Sequence, residues 1–315
     1  MPTLDRITIY PVKSLDGVDV TEARVLPSGA LEHDRRWQLT DIDGRVLNAK
    51  RSPLFHAIRA EFDLEARLVT LAIDPLAIQA RAIPGVERLA SLAPDTFPLV
   101  PGPDGPCGWL AEALSAGVRL EPGSAASASS QASASVLLLE RADGGFPDDR
   151  EAPGPTLVST ASLEEVARWF SFDLAEARRR FRANLELGGC DAFWEDTLAS
   201  PAREDVPSLL DLPPDLPADP YADLPPLEPR EFTIGEARFR ATNVCRRCVV
   251  PSRNSRTGAV TAAFREAFEA RRSRGMRDDV DPGAWGTLYR LGVNTRAAES
   301  SGASIAIGIS VTAST

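Results

Sequence analysis

Residues 3–26 read TLDRITIYPVKSLDGVDVTEARVL, and this stretch decides the class of fold. Ile7, Ile9 and the Pro11–Val12 step alternate with polar neighbours. Val18, Val20, Ala23 and Val25 repeat the pattern with one slip. A period of two is the mark of half-buried strands. Pro11 has no N–H to give to a ladder, so it predicts a sheet edge or a bulge. Lys13 and Ser14 follow at once. They place an ammonium and a hydroxyl at a strand end, which is either a solvated terminus or an anion site.

The strand pattern continues outward. In RRWQLTDIDGRVLNAK (35–50), Trp37, Leu39 and Ile42 lead into Asp43-Gly44, a short-turn signal, and Val46 and Leu47 return. LVTLAI (68–73) is a further strand. Helical spacing appears over 108–120, 159–170, 174–181 and 260–275. Strands are predicted over 136–140, 183–189, 287–295 and 304–311, with a hairpin over 231–244 around Gly235. The expected class is mixed α+β and β-rich. GSAASASSQASAS (123–135) predicts a flexible surface loop. The Pro-rich run 199–229 predicts an extended insertion, because proline at that density stops helices and central strands.

The chain has 315 residues, 43% of them hydrophobic and 25% charged, enough apolar material for a sizeable core. Its formal net charge of -10 argues against a global nucleic-acid or anionic-membrane binder. No apolar run approaches the roughly 18 residues of a membrane helix, and the start lacks a secretory pattern. Four cysteines are too few for a disulfide scaffold, so a reducing, cytoplasmic setting is expected. His33 and His56 are a poor supply for zinc chemistry, Ser–His catalysis or haem ligation.

Three constellations carry candidate chemistry. In HDRRWQLTD (33–41), strand alternation sends Arg35 and Arg36 to opposite faces, and an inward arginine needs an anion, either Asp34 or a ligand phosphate. In RRRFRANLELGG (178–189), Arg178 to Arg180 suit a helix C-terminus. Arg182 there offers a phosphate fork, and Asn184 a donor to a heterocycle. In NVCRRCVVPSRNSRTG (243–258), Cys245 and Cys248 stand three apart. The pair reads as half a zinc site, a redox pair, a single reactive thiolate or two inert cysteines. Arg246, Arg247 and Arg253 favour a thiolate, and thiolate sulfur suits a late or heavy transition metal.

Taken in order, YPVKSLDGV, DRRW, APGPTLVSTASL, FRANLELGG with FWED, and CRRCVVPSRNSRTG resemble the MOSC family, including the N-terminal domain that precedes MOSC in many members. The last motif is similar to the C-x-R-C…TG of its amidoxime-reducing members. The resemblance implies an N-terminal β-barrel-like domain over 1–121, packed on a MOSC β-barrel over 122–315 with peripheral helices. It implies a molybdenum cofactor, Mo-molybdopterin. Cys248 falls on the metal-ligand and catalytic position, with Arg247 beside it. Lys13 and Ser14 fall on the positions that hold the pterin's phosphate end, and Arg35, Arg182 and Asn184 on further cofactor contacts.

The activity implied is reduction of N-hydroxylated or related N–O and S–O small molecules. Without a Cys run for an iron–sulfur cluster, electrons are expected from a separate ferredoxin or flavin-reductase type of donor. The alternative is a cofactor or sulfur carrier that uses a Cys persulfide. Some substrate-side positions depart from the reductase pattern. Glu151, Ala152 and Pro153 replace Asp-Thr-Ser, Pro251 to Ser255 replace Thr-Thr-x-Asp-Pro, and Ile309 stands where Asp is usual.

Overall fold

The computed structural model describes residues 1–115, 136–199, 228–298 and 302–313. The Ser/Ala stretch 123–135, most of the Pro-rich stretch and the domain boundary expected at 121/122 lie outside the described residues. The class is mixed α+β and β-rich, as the alternation predicts.

In chain order the strands are β1 (Thr3–Ile9), β2 (Val18–Val20), β3 (Glu22–Arg24), β4 (Trp37–Thr40), β5 (Ile58–Asp63), β6 (Leu68–Ile73), β7 (Asp95–Pro98), β8 (Leu137–Glu140), β9 (Leu157–Ser159), β10 (Leu185–Gly188), β11 (Glu231–Ile234), β12 (Ala237–Arg246), β13 (Arg290–Ala297), β14 (Ser304–Ala306) and β15 (Val311–Ala313). The helices are α1 (Pro75–Ala80), α2 (Cys107–Ser115), α3 (Thr160–Phe170), α4 (Leu174–Phe181), α5 (Asp196–Ala199) and α6 (Phe264–Arg274). No helix among the described residues is long and apolar enough to cross a membrane.

The main sheet has eight strands in the order β15-β11-β12-β13-β9-β10-β1-β2, so strands from both ends of the chain share it. The expected closed barrels are not formed. β1 divides one edge between β2, at Ile7–Ile9, and residues 308–311. The Leu4 N–H donates to the Ile309 carbonyl at 2.8 Å, and the Val311 N–H to that of Pro2 at 2.8 Å, around an isolated Thr3–Ser310 bridge. A few bonds therefore bring the sheet's ends together where a barrel needs a continuous ladder. The other sheets are β5-β6-β7, β4-β8 and β3-β14.

Three local expectations change. The run 304–311 is not one strand, because Gly308 turns at φ 84° and divides it between β14 and β15. After the Asp43-Gly44 turn, only a Thr40–Val46 bridge returns, and β4 takes its ladder from the distant β8, from Trp37–Glu140 to Thr40–Leu137. Pro11 marks neither an edge strand nor a bulge as expected: β1, flanked by β10 and β2, stops at Ile9, and beyond it the Pro11 carbonyl accepts from the Trp37 N–H at 3.0 Å.

One face of the main sheet buries Leu4, Ile7, Leu185, Phe232, Phe239 and Val293. On the other, α3, α4 and α6 bring Leu163, Val166, Phe181, Phe264 and Phe268 against Val158 and Leu291. A third core around Trp37, Phe55, Val69, Leu71 and Leu110 belongs to the N-terminal sheets.

The loop after β12 is tied to that N-terminal part by charge. Asp74 is fully buried and caps α1 through Leu76 N at 2.9 Å. It also accepts from Arg256 at 2.7 and 3.2 Å. Arg253 donates to the Ala49 carbonyl at 2.7 Å and Arg59 to that of Ser255 at 3.3 Å. Asp74→Ala removes a buried ion partner and a helix cap together. It is expected to cost about 3 kcal/mol in urea unfolding and to speed amide exchange over 249–258. Unchanged exchange there contradicts the clamp.

Candidate active site

The C-terminal ends of β1, α4 and β12 converge on one cavity of about 790 Å³. Lys13, Ser14, Arg35, Arg182, Arg247 and Cys248 line it, together with Cys245, Arg246 and His56. Asn184 does not. It stands behind the wall, 2% exposed, with its amide spent inside the protein. Its Nδ2 donates to the Thr8 carbonyl at 3.0 Å and to Asp34 at 2.9 Å. Its Oδ1 accepts from Arg35 at 3.0 Å and from the Thr156 N–H at 3.1 Å. Asn184 therefore positions its neighbours and has no donor left for a heterocycle.

Arg35 and Arg36 do diverge, but not by strand alternation. Both precede β4, and Arg35 sits in the left-handed region at φ 46°. Arg35 turns inward to pair with Asp34 and Asn184. Arg36 turns outward over the Trp37 ring to Glu140 at 2.6 Å. Burial disfavours the Arg35 charge, yet Asp34 outweighs it and raises the pKa.

Arg182 has the same backbone conformation, φ 53°, as the C-terminal cap of α4, but lacks that support. Its guanidinium lies 4.1 Å from the Tyr10 ring centre and makes no ion pair among the described residues. Burial lowers its pKa, with Arg35 adding to the effect. Ser14 is left-handed too, at φ 75°. Non-glycine residues in this region cost about 1–2 kcal/mol each, and such strain gathers at functional sites. Three of them line one cavity here.

Lys13 reaches Asp148 at 3.0 Å and the Phe146 carbonyl at 3.2 Å. Burial would raise the Asp148 pKa, but Lys13, Arg35 and Lys50 bring it down to about 2. Its side chain is 56% exposed, so solvent screens that attraction and it implies little stability.

Cys245 and Cys248 are both free and part-exposed. Cys245 is the second-last residue of β12, while Cys248 opens a short turn that becomes a 3-10 helix at Val250–Ser252. Arg247 is held by the Phe181 carbonyl at 2.9 Å, and its Nε and Nη2 are buried without partners. Gly292 makes room for it. A Cβ there meets the Leu157 carbonyl oxygen at 2.8 Å and Arg247 Nη2 at 3.4 Å. Tyr289, whose hydroxyl is also buried without a partner, lies in the field of both Arg247 and Cys248, and burial raises its pKa. Among the described residues no His, Cys, Asp and Glu cluster suits a metal ion, so a zinc site is not formed.

Where the loop departs from the reductase pattern, α4 supplies a carboxylate. Glu176 accepts from Ser255 N at 2.8 Å and from its hydroxyl at 2.5 Å, and pairs with Arg180 at 2.7 Å. Burial works against the Glu176 charge, but these bonds lower its pKa.

Ten arginines and two lysines line the cavity, against five aspartates and one glutamate. Five of those six acids are ion-paired: Asp16 with Arg59, Asp19 with Arg6, Asp34 with Arg35, Asp148 with Lys13, and Glu186 with Arg178. Asp149 bonds to Asn243 instead, at 3.4 Å. Arg179 and Arg180 share Glu176. Arg150, Arg182, Arg246 and Arg247 remain without a carboxylate among the described residues.

Residues 1–116 match the family described as MOSC N-terminal beta barrel domain. This match covers the N-terminal part of the chain. A Drosophila yakuba protein named molybdenum cofactor sulfurase is 23% identical over 265 residues, 82% of this chain and 28% of its own length. An Arabidopsis thaliana protein of the same name is 35% identical over 68 residues, 22% of this chain and 8% of its own. The chain thus spans less than a third of either relative. The matched region contributes Lys13, Ser14, Arg35 and His56 to the cavity.

His56 is the residue that sequence reading passed over. It is 7% exposed, and its Nε2 has no partner. Burial, then the charges of Arg253, Arg59 and Arg182, bring its pKa from 6.5 down to about 4. A lone histidine in the short 3-10 helix Pro53–Ala57 carries no motif, so no sequence signal marks it.

Two predictions follow from this geometry. Arg35→Gly strands buried Asp34 and is expected to cost about 3 kcal/mol, whereas Arg182→Gly relieves the backbone and leaves urea stability equal or higher. Equal losses in both contradict the distinction. His56 is neutral in the fold, so it adds stability above pH 6.5 that is lost as pH falls through about 4. His56→Phe is expected to flatten the urea midpoint between those values, and an unchanged acid limb counts against it.

Proposed function

We propose that this chain binds a molybdenum–pterin cofactor, with Cys248 as the thiolate ligand to the metal. It reduces N-hydroxylated or related N–O and S–O compounds, with electrons from a separate ferredoxin or flavin-reductase type of protein. One observation carries the reading. In a chain of net charge -10, a soft thiol opens into a cavity whose arginines outnumber its carboxylates and whose buried Arg247 nitrogens lack partners. Unpaired buried donors are costly, and a phosphate or a polar heterocycle satisfies them. The volume suits a ligand of that size.

When bound, the cofactor would supply two-electron redox chemistry of the oxygen-atom-transfer class. The protein holds and orients. Lys13, Ser14 and Arg182 take the phosphate end. Arg35, locked by Asp34 and Asn184, presents its remaining donors to the cavity. Arg247 sets positive charge beside Cys248, and the Glu176 bonds to Ser255 keep the loop after Cys248 in place.

A second reading has its own support. Both relatives compared are named molybdenum cofactor sulfurase, and the substrate-side positions depart most from the reductase pattern. In this reading Cys248 carries sulfane sulfur, or the whole cofactor, to a partner without turnover.

Metal and released pterin measured after expression in a cofactor-competent host test both readings. Molybdenum is expected in wild type, is lost in Cys248→Ala and is largely kept in Cys245→Ser. Turnover of an amidoxime or a hydroxylamine with reduced viologen then selects the reductase. Sulfane sulfur without molybdenum selects the carrier, and neither signal in wild type overturns both.

A further inference from the structure

We infer that the mouth of the cavity is an oxyanion site formed by Arg150 and Arg246, and that the substrate therefore carries a carboxylate, sulfonate or phosphate group. That the anion belongs to a substrate rests on the function proposed above. That the mouth binds an anion does not.

The four arginines left without a carboxylate divide by depth. Arg182 and Arg247 are part-buried, over Tyr10 and Phe181 respectively. Arg150 and Arg246 are exposed. The deep pair accounts for the cofactor's phosphate and heterocycle, so the mouth pair is a second concentration of positive charge.

The fold brings together the two segments that carry this second pair. The Asp149 carboxylate accepts from Asn243 Nδ2 at 3.4 Å, which anchors the 148–150 segment beside the end of β12. Arg150 follows Asp149, and Arg246 follows Asn243 by three residues on the same strand end, between the two cysteines. Of the two acids that flank Arg150, Asp149 is occupied by an amide, and Glu151 makes no ion pair with Arg150 among the described residues. Asp149 also accepts from the Glu151 N–H at 3.0 Å, which turns the chain there. Two guanidinium forks bordering the cavity, beside the thiol that faces the reaction, select planar or tetrahedral oxyanions. Charge of this sign at a cavity mouth also raises the local concentration of an anion against the protein's overall acidity.

The test is calorimetric titration of benzoate, benzenesulfonate and phenyl phosphate, with benzamide as the neutral control. It uses full-length protein from cofactor-competent and cofactor-deficient hosts. At least one anion is expected to bind about tenfold tighter than benzamide, and the best of the three identifies the head group. The preference should vanish in R150Q/R246Q and return in part in R150K/R246K. No preference in wild type, or a preference that survives R150Q/R246Q and disappears in R182Q, overturns the assignment. Loaded protein without the preference refutes only the mouth site. The preference in protein that never holds pterin refutes only the cofactor reading.

Discussion

The site depends on one buried carboxylate. Asp34 accepts from the Tyr10 N–H at 2.9 Å and from Asn184 Nδ2 at 2.9 Å, and pairs with Arg35. Those bonds tie the end of β1, the turn before β4 and the start of β10 at one point. Asn184 extends the knot to Thr156, just before β9. A charge this buried is tolerated only with its partners complete. The same requirement that fixes the knot therefore also sets the positions from which Lys13, Arg35 and Arg182 face the cavity.

Around this knot the protein tolerates local instability. Ser14, Arg35 and Arg182 adopt left-handed backbone conformations, and Arg182 is desolvated and makes no ion pair among the described residues. The cores on both faces of the main sheet, with Phe232 and Phe239 on one side and Phe264 and Phe268 on the other, are large enough to carry such costs. The clamp of Asp74, Arg59 and Arg256 does for the Cys248 loop what the Asp34 knot does for the phosphate end. It fixes a charged segment against the N-terminal part.

Much of this was legible in the sequence. The limits of β6 and α4 follow from alternation and helical spacing, and in the structure Ser159 and Asp173 cap α3 and α4. Among the cavity-lining arginines, Arg35, Arg182, Arg246 and Arg247 lie in the motifs that carried the family resemblance. What the sequence hid is long-range. Nothing local indicates that β4 pairs with β8, or that residues 308–311 come back to β1 without closing a barrel. Period-two reasoning also misjudged Arg35, because its inward turn comes from backbone conformation. Asn184 illustrates the same limit. Its side-chain chemistry suits a ligand, but four protein partners take all of it, and only the fold reveals that.

The central claim is that Cys248 is bonded to the metal in a cavity built for an anionic cofactor. Molybdenum K-edge X-ray absorption on the isolated protein tests it most directly. The account predicts a sulfur-rich shell that loses one sulfur scatterer in Cys248→Ser and is unchanged in Cys245→Ser. An identical sulfur shell in wild type and Cys248→Ser contradicts it.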